Sequence, residues 1–123
     1  MKIIYETLKT ERVCTDLKEA CKFFGGDRMM ALSLLSRINA ITSADTIKDI
    51  INQRVFRFHN LHHKNKRNLE GYFAVDVKTI REPWRLIIQP LNEMEEPYDP
   101  CNIDEIASSV RIVGIKEVSK HYE

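Results

Sequence analysis

The chain has 123 residues, 43% apolar and 30% charged, enough for one hydrophobic core and too few for two independent domains. A formal net charge of +1 argues against a uniformly basic nucleic-acid binder, and the composition argues against a disordered or fibrous chain. Three cysteines, Cys14, Cys21 and Cys101, make neither a Cys-x-x-Cys pair nor a disulfide framework, so reduced thiols are expected.

Residues 2–5 read as a short strand. No apolar leader precedes the charged residues of MKIIYETLKTER and no later run is long enough to span a membrane, so a cytoplasmic protein with a single domain over residues 1–123 is expected. Residues 9–24 carry Val13, Cys14, Leu17, Cys21 and Phe24 at helical period, and Gly25-Gly26 stops that helix. Cys14 and Cys21, seven apart, share one face and suit core packing. Asp27 is expected to cap a second helix running to about residue 40, with Met30, Leu34, Leu35 and Ile38 on its buried side. Ser43 is expected to cap a further helical turn through residue 50.

The period then changes to two. Over residues 54–59, Phe56 and Phe58 alternate with Val55, Arg57 and His59. Over residues 72–77, Phe73, Val75 and Val77 share a face. Residues 84–89 place Trp84, Leu86 and Ile88 opposite Arg85 and Ile87, and residues 110–116 supply a last strand. Residues 61–71 hold a polar hairpin loop, and Pro97 and Pro100 mark a longer connection. The fold class expected is α+β: an N-terminal strand and a helical hairpin packed on one face of a mostly antiparallel four- to five-stranded sheet. Arg57, His59 and Arg85 are then expected to converge on the uncovered face.

The small net charge hides a segregation. Residues 54–67, RVFRFHNLHHKNKR, hold five arginines and lysines, three of the four histidines and no acid, whereas residues 92–105 hold six acids and no base. Histidines that titrate near neutrality beside phosphate-binding cations suit RNA chemistry. The acidic run suits a solvated loop, or else a docking element.

Several segments in order resemble the RelE/ParE superfamily of toxin–antitoxin toxins, in its HigB-like branch. They are Arg57-Phe58-His59-Asn60-Leu61, the basic turn at Lys64 to Arg67, Tyr72-Phe73-Ala74-Val75-Asp76-Val77, Trp84-Arg85-Leu86-Ile87, and the closing Lys120-His121-Tyr122. The resemblance implies a small ribonuclease that cleaves messenger RNA on the ribosome without metal or cofactor. It also implies a helix-turn-helix antitoxin of the HigA-like kind as partner, in a homodimer or a toxin–antitoxin heterotetramer. A gyrase-poisoning toxin of the ParE-like branch, or a degenerate member that only binds its antitoxin, are the alternatives.

By the same resemblance, His59 serves as general acid or base, Arg85 binds the reacting phosphate, and His121 or Tyr122 completes the proton transfer. Arg57, Lys64, Lys66 and Arg67 hold the RNA. The tail departs from the family pattern, since His121-Tyr122 inverts the usual order and Lys120 replaces an acid. A metal site at His59-x-x-His62-His63 is disfavoured, because a tetrahedral site takes three or four protein ligands and no second cluster accompanies it.

Overall fold

A computed structural model describes residues 1–61 and 69–120. The chain opens with strand β1 (Lys2–Tyr5), then helices α1 (Leu8–Thr15) and α2 (Leu17–Phe23). One continuous helix was expected there; Asp16 interrupts it. Its backbone is extended (φ −126°, ψ 117°) and its carboxylate accepts the Lys18 N–H at 2.9 Å. A short acidic side chain that satisfies a free amide competes with helix continuation and starts a new helix instead. Gly25 and Gly26, at φ +66° and +93°, end α2 as expected.

Asp27 caps α3 (Arg28–Ser43), accepting the Met30 N–H at 3.0 Å. Ser43 is the last residue of α3 and not a cap. The next helix, α4 (Ile47–Ile51), is preceded by Thr46, and Asp49 accepts the N–H groups of Thr46 and Asp45 at 3.3 and 2.9 Å.

Strand structure was also expected from residue 54, and here the chain differs. Arg54–Phe56 is a 3₁₀ turn closed by the Phe56 N–H on Gln53 O and the Arg57 N–H on Arg54 O, both at 3.0 Å. The alternation of aromatic residues suggests a strand, but Phe56 reaches the core from a turn and Arg37 stacks over its ring, 5.1 Å from the centroid. Extended pairing starts only at β2 (His59–Asn60). It is followed by β3 (Phe73–Asp76), β4 (Arg85–Leu91), a short α5 (Ile103–Ile106) and β5 (Ile112–Ser119).

These strands form one sheet in the order β1-β5-β4-β3-β2, with β1 parallel to β5 and every other pair antiparallel. One face is the main core: Phe73, Val75, Leu86, Ile88, Val113 and Ile115 pack against Met30, Leu34, Ile38 and Ile41 of α3 and Val13 and Cys14 of α1. Phe23, Phe24 and Trp84 form an aromatic cluster, centroids 5.1–5.2 Å apart, that ties α2 to the start of β4. The α+β architecture with helices on one face of the sheet is therefore observed.

The second face carries a smaller cluster of Leu61, Leu69, Ala74 and Ile87, edged by Tyr72, with no helix residue in it among the described residues. Beyond the end of β4 the six acids of residues 92–105 are all exposed. Asn92 turns the chain there by accepting the Met94 and Glu96 N–H groups, and Lys2 pairs with Glu95 at 2.6 Å. No helix among the described residues is long and apolar enough to cross a membrane.

Candidate functional site

Asp76 is the node of the site. It ends β3, opposite Arg85 at the start of β4. Strand alternation turns both away from Val75 and Leu86, toward the face of Ala74 and Ile87. The Arg85 Nε lies 3.1 Å from Asp76 Oδ1, and each side chain is only 3% exposed. Arg57 approaches from the turn before β2, its Nε donating to Oδ2 at 2.9 Å and Oδ1 at 3.1 Å, with its side chain 32% exposed. Two arginines thus engage one buried carboxylate, which is how a charge is held away from water.

The backbone around this carboxylate is tied down as well. Arg37 of α3 donates from Nε to Asp76 O at 2.9 Å and from Nη2 to Lys78 O at 2.9 Å and Val55 O at 3.4 Å. Burial pulls the Arg37 pKa below its ordinary value, and the negative charge of Asp76 opposes that pull. Arg85 gathers the turn after β3: Nη1 donates to the carbonyls of Glu82 (2.6 Å) and Trp84 (2.9 Å), and Nη2 to that of Ile80 (3.3 Å). In the same turn the Thr79 hydroxyl donates to the Glu82 carboxylate, which lowers the Glu82 pKa. No buried side-chain nitrogen or oxygen among the described residues lacks a partner.

His59 joins the node through the backbone. It is half-buried on β2, opposite Ala74, and so shares the face of Asp76 and Arg85. Its Nδ1 lies 2.6 Å from Arg57 O. A carbonyl oxygen only accepts, so this contact assigns the proton to Nδ1 and leaves Nε2 as the unprotonated nitrogen of the neutral ring. Arg57 presents that carbonyl from a left-handed backbone, φ +45° and ψ 54°, in which a residue of its type is uncommon.

Arg57, His59 and Arg85 therefore come together on the face without helices. Arg85 differs in detail from the expectation of a phosphate ligand, since its guanidinium is buried against Asp76 and three backbone carbonyls. Lys64, Lys66 and Arg67, expected to hold RNA, and His121 and Tyr122, expected at the chemistry, lie outside the described residues. So do His62 and His63. Among the described residues no three His, Cys, Asp or Glu side chains gather as a metal site would require.

In the sequence Asp76 stands out only as a member of the segment Tyr72 to Val77, and Arg37 has no assigned part. A lone acid inside the apolar run Phe73-Ala74-Val75-Asp76-Val77 is the signal for Asp76, because a carboxylate there must find buried cations. Arg37 carries no comparable signal, since a cation on a helix is normally a solvated one. No protein-family model matches the chain, and no curated protein matches it.

Proposed function

We propose that the chain is the toxin of a toxin–antitoxin pair, an endonuclease that cleaves messenger RNA on the ribosome by proton transfer alone. The observation that carries this reading is the contact of His59 Nδ1 with Arg57 O, which in the neutral ring puts the proton on Nδ1 and makes Nε2 the nitrogen able to act as base. His59 takes the proton of a ribose 2′-hydroxyl, and the oxygen attacks the adjacent phosphorus. The bond to the 5′-oxygen breaks, and that oxygen leaves with a proton from an acid, for which His121 and Tyr122 are the candidates. The products are a 2′,3′-cyclic phosphate and a 5′-hydroxyl. Charge building on the phosphorane is met by the partly exposed Arg57, with Asp76 and Arg85 behind it.

The partner in this proposal is a helix-turn-helix antitoxin that blocks the same face. The test is brief induction without the antitoxin, followed by mapping of message ends and end-group analysis of the upstream fragments. Cyclic phosphate or 3′-phosphate ends, dependent on ribosomes, support the reading; a 3′-hydroxyl removes the mechanism, since 2′-hydroxyl attack does not produce one.

The burial of Arg85 favours a second reading, in which the fold is kept as a protein-binding toxin or an antitoxin-binding component and no phosphate is handled. Intact messages in arrested cells, with double-strand DNA breaks, would identify the gyrase-poisoning form. Unimpaired growth would identify the antitoxin-binding form.

A further inference from the structure

We infer that Asp76 is a positioning residue for His59, acting through the backbone of Arg57 and not through the imidazole ring. The inference deepens the nuclease reading and rests on it for the use made of the proton.

Arg57 occupies a left-handed conformation (φ +45°) that residues other than glycine, asparagine and aspartate seldom adopt, so surrounding contacts must hold it. Two do. Its N–H closes the 3₁₀ turn onto Arg54 O at 3.0 Å, and its Nε is seated on both oxygens of Asp76 at 2.9 and 3.1 Å. Asp76 cannot follow a moving Arg57. Its Oδ1 is also engaged by Arg85 Nε at 3.1 Å, its own carbonyl is taken by Arg37 Nε at 2.9 Å, and its side chain is buried.

The far end of this arrangement is the Arg57 carbonyl, 2.6 Å from His59 Nδ1. Relaxation of Arg57 toward right-handed or extended backbone rotates that carbonyl off the ring. Nδ1 then loses its acceptor and the imidazole exchanges between tautomers. An acid that orients a histidine ordinarily touches the ring itself. Here the carboxylate fixes the tautomer one residue removed, by fixing the peptide that the ring donates to. A network that only stabilised the fold would change the melting temperature and leave the tautomer alone.

The experiment follows the His59 ring nitrogens of the ¹⁵N-labelled full chain by long-range ¹⁵N–¹H spectroscopy at about pH 8.5, where an ordinary imidazole is neutral. Wild type should show a protonated Nδ1 and an unprotonated Nε2. In Asp76→Asn the two resonances should move toward one another, and kcat for ribosome-bound message should fall about 10²-fold, the lower end of what a positioned acid or base contributes, with KM changed less than about twofold.

If Asp76→Asn does not fold, Arg57→Ala and Arg57→Gly leave the Asp76–Arg85 pair in place and give the same readout. Alanine should release the tautomer, while glycine, which adopts positive φ without strain, should retain more of it. Retention of the wild-type tautomer in a folded Asp76→Asn or Arg57→Ala protein overturns the inference, whether or not the wild type cleaves RNA. A tautomer that responds as described in a protein with no cleavage activity upholds the inference and removes the nuclease reading instead.

Discussion

The guanidinium of Arg85 and the carboxylate of Asp76 face each other across β3 and β4 at 3.1 Å, both withdrawn from water. A buried pair of this kind contributes little net stability over apolar packing, but removing Arg85 takes one of two cations from the buried Asp76 carboxylate and leaves it to Arg57. Arg85→Ala is therefore expected to destabilise the protein by about 3–5 kcal/mol. The carbonyls of Ile80, Glu82 and Trp84 would lose their donor at the same time. Thermal melts followed by circular dichroism measure this, with a fall of roughly 10 °C or more expected. An unchanged melt together with lost cleavage would instead give Arg85 a direct part at the phosphate.

His59→Ala should behave in the opposite way. The ring is half-buried on a two-residue edge strand and makes its described polar contact with the neighbouring turn, so the melt should shift by less than about 1 kcal/mol. Cleavage should fall by about 10²- to 10⁴-fold, the usual contribution of a positioned proton-transfer group. Growth arrest and primer extension on an abundant message report the loss. Full toxicity in this variant would exclude His59 from the chemistry.

Asp16→Ala tests why α1 and α2 are separate helices. Loss of the cap on the Lys18 N–H should cost about 1 kcal/mol, measured by urea denaturation. Asp16→Asn, which keeps the accepting oxygen, should recover most of that loss. Equal stability of the alanine variant and the wild type would mean that the break is set by packing around Ala20 and Val13 and not by the cap.

Stability should decline in alkali. Burial raises the Cys14 thiol from its ordinary 9.0 to about 12, and burial first, with the charges of Cys14 and Glu11 adding to it, raises Tyr5 from 10.0 to about 12. Both groups hold their protons more tightly folded than unfolded. Their contribution is complete below about pH 9 and is lost as the pH climbs toward 12. Denaturation midpoints across that interval should fall for wild type and fall less steeply for Cys14→Ala, whatever its stability at neutral pH. Parallel curves for the two proteins would exclude Cys14 as a source of the decline.

Much of the architecture is legible in the residues because local signals and tertiary packing agree there. β1, the Gly25-Gly26 stop, the Asp27 cap and the alternation through Phe73 and Leu86 all stand where periodicity and capping chemistry put them. The departures occur where two local rules compete. At Asp16 the apolar period continues, but the side chain captures an amide and interrupts the helix. At Arg54–Phe56 the spacing of aromatics suits a strand, yet Arg37 holds Val55 O and stacks on Phe56 in a turn. Alternation turned Arg85 to the correct face of β4 but carried no information on its burial. That burial depends on the turn after β3 folding back onto the guanidinium, a contact set by tertiary structure.

The parallel pairing of the first strand with the last has a consequence for biosynthesis. Among the described strands β1 pairs only with β5, Lys2 standing opposite Ile112, while β5 also supplies Val113, Ile115 and Val118 to the main core. A nascent chain emerging from the ribosome therefore holds β1 without a strand partner, and its helices over an incomplete sheet, until β5 has been made. Interrupted synthesis yields fragments that lack the strand on which the sheet closes. On the nuclease reading, a cut in its own message upstream of the codons for β5 would release products that lack the strand joining β1 to the rest of the sheet.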